Sequence, residues 1–234
     1  MVERRVKRFY RDVSAGEDEG RFAVLLDGKP VKTPSGLPVL LPNRALAEAV
    51  AEEWRVQADT VDFTSMPLTR LVNTALERVP VDRAPVAEQA LALGKSDLLC
   101  YRAEAPDALA ARQAEGWDPL LEWLAENYGA RLTVVQGVTF TDQPAEALLA
   151  LEQAVWKTDD FALTGLSAAA AITGSLVLAL ALVVGRLDAG EAFRLATLDE
   201  AFQAEQWGMD VAAKARLDEL EAELTAVERL LRLL

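Results

Sequence analysis

The spacing of apolar and polar residues predicts strands in the first part of the chain. Short apolar runs alternate there with turn-forming residues, as in RFAVLLDGKPVKTPSGLPVLLP from residue 21 onward. Asp27-Gly28 is typical of a two-residue type I′ hairpin turn, and Pro34-Ser35-Gly36 predicts a second turn. Pro30 and Pro38 suit edge positions, because proline cannot donate a ladder hydrogen bond. We therefore expect a meander of strands.

The segment after these strands has the spacing of a helix. Leu46, Val50 and Trp54 recur every four residues behind Asn43, which predicts an N-capped helix from Asn43 to about residue 58. A short extended piece, TVDF, then leads into a helix that Pro67 opens at its first turn.

From Val81 onward the pattern is mostly helical. Pro119 interrupts an apolar stripe there, so we expect the helix to break, or a new helix to begin, near Asp118. RLTVVQGVTF predicts one extended segment, and helices are expected at about 144–158, 164–185, 189–207 and 210–232. The stripe consists of Trp117, Leu120, Leu121, Leu124 and Tyr128.

Two of these helices carry end signals. Asp188 with Glu191 resembles a capping box, and Gly208 is well placed just after a helix that ends at Trp207. Trp207 and Trp54 are both interpreted as core anchors.

A charge-free run after Asp160 ends in SLVLALALVVG, and it raises the question of a membrane span. A spanning helix needs about 20 mainly apolar residues. Only Leu176–Val184 is intensely apolar, and the flanking charges show no positive-inside bias. We expect a helix buried at the centre of a helical domain, with Leu176–Val184 almost wholly buried.

Taken together, the patterns predict an α+β chain. A small N-terminal β-rich (α/β) domain is expected over residues 1–80, followed by a larger, all-helical C-terminal domain over residues 81–234.

Composition removes several classes of chemistry. The 234 residues have a formal net charge of −13, which disfavours nucleic acid and anionic lipid as partners. The sequence has no histidine, which removes Ser-His and Cys-His catalysis and histidine metal ligation. Cys100 is the single cysteine, so we interpret it as a small buried apolar residue. A reducing cytoplasm fits, and the basic start MVERRVKRFYRDV lacks the apolar core of a signal peptide.

Two other apparent sites are weak. Gly94-Lys95-Ser96 resembles the end of a phosphate-binding loop, but Gln89 stands where the first glycine is required and Gly94 is better placed at a helix end. Adjacent carboxylates such as Glu52-Glu53 and Asp199-Glu200 are usually solvated faces. A hydrolase with a carboxylate pair nevertheless stays an alternative.

The last helix is amphipathic. Its apolar seam, under three heptads long, fits either packing on its own domain or a face for a partner protein. The seam consists of Leu217, Leu220, Leu224, Val227, Leu231 and Leu234.

Six blocks carry a resemblance to a known family. They are LDGKPVKTPSGLPVLLP, LAEAVAEEWRVQ, MPLTRLVNTALERV, DLLCYRAEAPDALAARQAEGWDPLL, TGSLVLALAL and ATLDEAFQAEQWG. In this order the chain resembles the assembly chaperones that escort the alpha subunit of the F-type ATP synthase's soluble head.

The resemblance implies a function without catalysis. Such a chaperone binds the unassembled alpha subunit, without ATP hydrolysis, a metal or a cofactor, and covers surface that the beta subunit later occupies. An exposed subunit interface is an apolar patch that invites aggregation. The family also occurs in mitochondria, but the start of this sequence does not resemble an acidic-poor transit peptide, so we expect a bacterial, cytoplasmic protein. We also expect it to be monomeric when free.

Carried over by position, the partner-binding candidates are Glu200, Gln203 and Glu205. A carboxylate here can meet a client arginine, although Glu200 tying two helices of its own domain together is an equal alternative. The runner-up functions are a membrane-associated scaffold, which needs the 162–185 run exposed to lipid, and the carboxylate-dependent hydrolase.

Overall fold

The computed structural model describes residues 6–18 and 20–234 and has the predicted α+β architecture. Most of the strands lie in the first part of the chain, together with two helices, and helices dominate the rest. The chain divides into two compact units. One contains the described residues up to Arg83 together with Arg229–Leu234, and the other contains Ala84–Glu228.

The strands of the first unit pair antiparallel. The β2–β3 hairpin is the longest pairing and aligns Val13 with Leu26; β4 and β5 both pair with β3, and β1 pairs with β6. Their bounds are β1 (Val6–Lys7), β2 (Val13–Asp18), β3 (Arg21–Leu26), β4 (Lys29–Pro30), β5 (Leu40–Leu41) and β6 (Thr60–Val61).

The predicted turns of the meander are confirmed. Asp27 and Gly28 have φ of 49° and 78°, as a type I′ turn between β3 and β4 requires. The second turn closes through Thr33, whose N–H donates to Leu37 O over 2.8 Å. Pro30 lies in β4, at the edge of the β2–β3–β4 path, where no partner strand needs its missing N–H.

The first helix, α1 (Arg44–Arg55), is also as predicted, although it ends three residues earlier. Asn43 accepts a hydrogen bond from Leu46 N over 2.9 Å, and the stripe of Leu46, Val50 and Trp54 is buried. The second helix, α2 (Pro67–Asn73), begins at Pro67 and continues into a π-helical turn over Thr74–Arg78.

The interpretation of Glu52-Glu53 as a solvated pair is wrong for Glu53. This side chain is buried, and its carboxylate accepts from Leu68 N and Thr69 N, each over 2.8 Å, at the start of α2. The free N–H groups of a helix start stabilise a carboxylate. Glu53 lies three residues after Val50, so the apolar stripe carries it inward.

The remaining helices account for most of the rest of the chain. A short parallel pair, β7 (Tyr101–Arg102) and β8 (Val135–Gln136), lies among them, so only two residues of the predicted extended segment are in a strand. The helices are α3 (Val79–Lys95), α4 (Asp107–Tyr128), α5 (Ala145–Trp156), α6 (Asp160–Thr173), α7 (Leu176–Val183), α8 (Ala189–Ala196), α9 (Leu198–Trp207) and α10 (Val211–Arg232).

The break predicted near Asp118 is wrong, because α4 continues through Pro119. A proline inside a helix costs about 3 kcal/mol or more. Trp117, Leu120 and Leu124 are buried on the same helix, and their burial offsets that cost.

The apolar run forms two helices rather than one. The chain breaks at Gly174, whose φ is 67°, and Ser175 then caps α7 by accepting from Leu178 N. Leu176–Leu182 is buried as predicted, whereas Val184 is 54% exposed. In the described part of the chain, no helix combines the length and apolarity of a membrane span. The scaffold alternative required this run to face lipid, and α7 instead packs against α4, α6 and α8.

The predicted helix at 189–207 is likewise two helices, α8 and α9, separated at Thr197. The capping box of Asp188 and Glu191 is confirmed, and Gly208 follows the last residue of α9 with φ of 79°. In α10 the seam is buried at Leu224 and Val227, whereas Leu217 and Leu220 in its first part are half-buried.

Candidate functional site

A small groove lies where α9 turns into α10. Its volume is about 250 Å3, and it is open to solvent. The groove includes two of the three predicted partner-binding residues. Its main lining residues are Glu200, Gln203, Trp207, Met209, Arg216 and Leu217.

The apolar face of α9 holds this helix against α4. Phe202 is buried, and the guanidinium of Arg112 lies 5.0 Å from the centre of its ring. On the preceding helix, Leu195 O accepts a hydrogen bond of 3.0 Å from Trp117 Nε1. These contacts fix the side of α9 that faces inward, and so the side that faces solvent.

Polar contacts also hold α9 against α4. Gln113 is buried; its Nε2 donates to Asp199 Oδ1 over 2.8 Å, and its Oε1 accepts from Ala103 N over 2.8 Å. A buried amide with both ends bonded orients its partners, because breaking either bond leaves a buried group unsatisfied.

Glu205 is engaged within the protein. Its Oε1 lies 2.8 Å from Arg112 Nη1, and this hydrogen bond lowers the pKa of Glu205 and raises the pKa of Arg112. Both side chains are exposed, so the pair contributes little to stability. Its geometry holds Glu205 beside α4, and Glu205 does not line the groove.

Glu200 and Gln203 are placed differently. Both are exposed and line the groove from neighbouring turns of α9, consistent with the shared face expected from their spacing. Glu200 forms no hydrogen bond or ion pair with any residue that the structure describes. The bonds from α9 to α4 are made by its neighbours Asp199 and Glu205.

The prediction that Trp207 is a core anchor is wrong. Trp207 is 77% exposed, and Met209 and Val211 beside it are exposed as well. Trp207 follows the buried Phe202 by five residues, a rotation of about 140° around the helix that turns it away from α4. That spacing was the signal available in the sequence. The matching prediction for Trp54 is confirmed.

The far side of the groove is ordered by a helix cap. Asp210 Oδ1 accepts from Ala212 N over 2.8 Å and from Ala213 N over 2.9 Å at the start of α10. Because Asp210 is occupied in this way, Glu200 is the carboxylate of the groove that is free to meet a cation. The groove therefore combines exposed apolar side chains with the charged side chains of Glu200 and Arg216.

Other candidate chemistry lies in the core. Cys100 is buried, and burial raises the pKa of its thiol to about 12, which disfavours the reactive thiolate. A Cβ on Gly94 would lie 2.9 Å from Leu176 Cδ2, so this glycine serves close helix packing. Among the described residues, no group of three or more Cys, Asp or Glu side chains is arranged to hold a metal ion.

Asp97 is a buried carboxyl group that the sequence did not single out. Its Oδ1 accepts from Ser175 Oγ over 2.7 Å, and its Oδ2 accepts from Val177 N over 3.1 Å. Burial raises the pKa of Asp97 to about 6 even though these hydrogen bonds oppose the shift. The side chain thus ties the start of α7 to the end of α3.

Comparison with known proteins gives a consistent family. Residues 7–125 match the model of the ATP12 chaperone protein family. The chain is similar to the crystal structure of Atp12 from Paracoccus denitrificans, with 43% identity, a TM-score of 0.93, and 97% of this chain and 98% of that chain covered. A proposed chaperone from Agrobacterium tumefaciens is 44% identical, with a TM-score of 0.92 over 97% and 85% of the two chains. The mitochondrial protein atp12 of Schizosaccharomyces pombe is 24% identical over 214 aligned residues, and the match covers 86% of this chain and 74% of that protein.

Proposed function

Because the chain belongs to the ATP12 chaperone family, we propose that it binds the unassembled alpha subunit of the F-type ATP synthase. In this role it covers the subunit-interface surface of alpha until the beta subunit replaces it. The proposal rests on the ordered sequence blocks described above and on the groove at α9 and α10. We also place this chaperone in the bacterial cytoplasm, in keeping with its similarity to two bacterial proteins.

The observation that carries the proposal is the exposure of Trp207 beside the free carboxylate of Glu200. Tryptophan is enriched among the residues that dominate binding energy, and an exposed one has no role in its own core. We propose that Trp207 packs on apolar surface of the client while Glu200 accepts a charge-assisted hydrogen bond from a client arginine. Gln203 lies one turn from Glu200 and adds a polar contact.

Glu205 has a different role in this proposal. Its ion pair with Arg112 lies on the α4 side of α9, so Glu205 is engaged beside α4 while Glu200 and Gln203 meet the client. The beta subunit can replace the chaperone if the chaperone binds alpha more weakly than beta does in the assembled head. Specificity for one partner is a difference between two affinities. A groove of this size supplies a limited contact area, which suits a partner that must leave.

The proposal is tested by co-purifying the tagged chain with isolated alpha subunit and, separately, with the completed head of the synthase. We expect retention of isolated alpha and no stable association with the completed head. Glu200→Lys should fold normally and weaken retention of alpha by about tenfold or more, because like charges then face each other at the interface.

Glu126→Lys is the matched control, since Glu126 is exposed on α4 and lies outside the groove. It makes the same charge change and should retain alpha normally. Normal retention by Glu200→Lys would reject the contact at this residue, and a fall in its melting temperature would show that Glu200 stabilises the fold instead. Equal binding to free and assembled alpha would contradict displacement by the beta subunit.

A further inference from the structure

A second groove lies in the first compact unit, and the proposed function does not use it. We name it the β4 groove; its volume is about 440 Å3. Apolar and aromatic side chains form most of its surface, and lysines lie among them. The lining residues used below are Phe9, Tyr10, Asp27, Lys29, Lys32 and Trp54.

The aromatic side of the β4 groove has two buried rings and one exposed ring. Tyr10 and Trp54 are buried with ring centres 5.7 Å apart, and Tyr10 Oη donates to Trp54 O over 2.7 Å. Phe9 meets Tyr10 edge to face at 5.3 Å, yet it is 67% exposed. An exposed phenyl ring on a fixed aromatic base is suited to anchor an apolar side chain of a ligand.

Trp54 also leaves a hydrogen-bond donor unused. Its indole Nε1 is buried and has no partner among the described residues, whereas Trp117 Nε1 donates to a backbone carbonyl over 3.0 Å. A buried donor without a hydrogen-bond partner destabilises the fold. An oxygen atom supplied by a ligand would satisfy this donor. Because Nε1 is screened from solvent, a ligand reaches it only by displacing a covering side chain.

The charge of the β4 groove is opposite to that of the whole chain. Lys29 and Lys32 are exposed and form no ion pair with a described residue. Asp27 is occupied, because its carboxylate accepts from Arg11 N and Asp12 N over 3.0 and 2.8 Å, and these bonds lower the pKa of Asp27. In a chain with a net charge of −13, two free lysines beside an aromatic surface favour an anionic ligand.

We propose that the β4 groove binds an extended peptide segment that carries an apolar side chain flanked by carboxylates. The apolar side chain packs on Phe9, the carboxylates meet Lys29 and Lys32, and a peptide carbonyl oxygen accepts from Trp54 Nε1. One segment of this composition meets the exposed ring and both lysines, and it reaches Trp54 Nε1 once the covering side chain has moved. The inference does not depend on which client the α9 and α10 groove binds.

The test selects ligands from a phage-displayed library of random peptides with the full chain as bait. Selected peptides are then synthesised and titrated into the full chain while the assigned indole N–H resonance of Trp54 is followed by NMR. We expect selected peptides to contain Asp or Glu beside aromatic or aliphatic residues, and saturation to shift the Trp54 signal. Lys29→Glu combined with Lys32→Glu should weaken binding by about tenfold.

Two controls separate the groove from general effects. Arg21→Glu combined with Lys157→Glu makes the same net-charge change at exposed residues outside the groove, and it should bind peptide normally. Phe9→Ala should weaken binding, whereas Val56→Ala, at a side chain with the same 67% exposure, should not. The proposal would be overturned if the selection gave no enrichment, or if the variant with Lys29→Glu and Lys32→Glu bound peptide as well as the variant with Arg21→Glu and Lys157→Glu. It would also be overturned if the Trp54 signal did not move at saturation.

Discussion

Two parts of the second unit that carry large apolar side chains have opposite surroundings. In α7 every side chain from Leu176 to Leu182 is buried, and the helix is enclosed by α4, α6 and α8. At the junction of α9 and α10, Trp207 and Val211 are 77% and 87% exposed. Apolar side chains alone therefore do not show which segments are in the core and which are at the surface.

The difference between these regions comes from what fixes each one. The start of α7 is held by Asp97, a side chain from a distant part of the sequence. The position of α9 is held by residues on its opposite face, above all Phe202, and Trp207 is left largely exposed. A core is defined by enclosure on all sides, whereas a binding surface needs a rigid support on one side only.

The largest expected effect tests the enclosed side of this comparison. Leu178→Asp places a charge inside α7 with no partner, so the free energy of unfolding should fall by several kcal/mol. Chemical denaturation measures the change. Val184→Asp, in the same apolar run but 54% exposed, is the control and should lose less than about 1 kcal/mol. Similar losses in both variants would remove the distinction between the core of α7 and its end.

The effect of intermediate size is a pH dependence of the free energy of unfolding, and it tests the role of Asp97. Burial raises its pKa from 3.8 to about 6, so the folded protein holds this proton more tightly than the unfolded chain. The contribution of Asp97 to stability is therefore present below about pH 4 and is lost as the pH rises through 6, by on the order of 3 kcal/mol. Asp97→Asn cannot titrate, so its stability deficit relative to the unmodified chain should be largest near pH 4 and shrink towards pH 7. Denaturation at a series of pH values tests this, and a deficit that widens with rising pH would contradict it.

The smallest expected effect on stability is at Trp207, in the exposed region at the junction of α9 and α10. Trp207→Ala should change the free energy of unfolding by no more than about 0.5 kcal/mol, because the ring has little to lose on truncation. The same variant should retain less alpha subunit in the co-purification assay. Phe140→Ala, at an exposed ring of the same unit outside the groove, should alter neither quantity. A clear loss of stability in Trp207→Ala would place this tryptophan in the core after all.

Local features could be predicted because short segments contain everything that forms them. The hairpin turn at Asp27-Gly28, the cap by Asn43, and the box of Asp188 and Glu191 each depend on atoms within a few residues. Apolar spacing in α1 likewise showed which side of the helix is buried. Within the candidate site, the shared face of Glu200 and Gln203 followed from helical spacing alone.

The features that the sequence left open depend on distant residues. Ser175 and Val177 donate to Asp97, which lies 78 and 80 positions away, so the break that makes two helices of one apolar run is fixed by a contact no short window contains. Packing of Trp117 and its neighbours keeps α4 continuous through Pro119, and a distant helix start buries Glu53. The sequence thus determined the local elements and the inward face of α1, because those depend on neighbouring atoms. Tertiary structure decided where helices break and that Trp207 stays exposed, because burial depends on which distant surfaces arrive to cover a side chain.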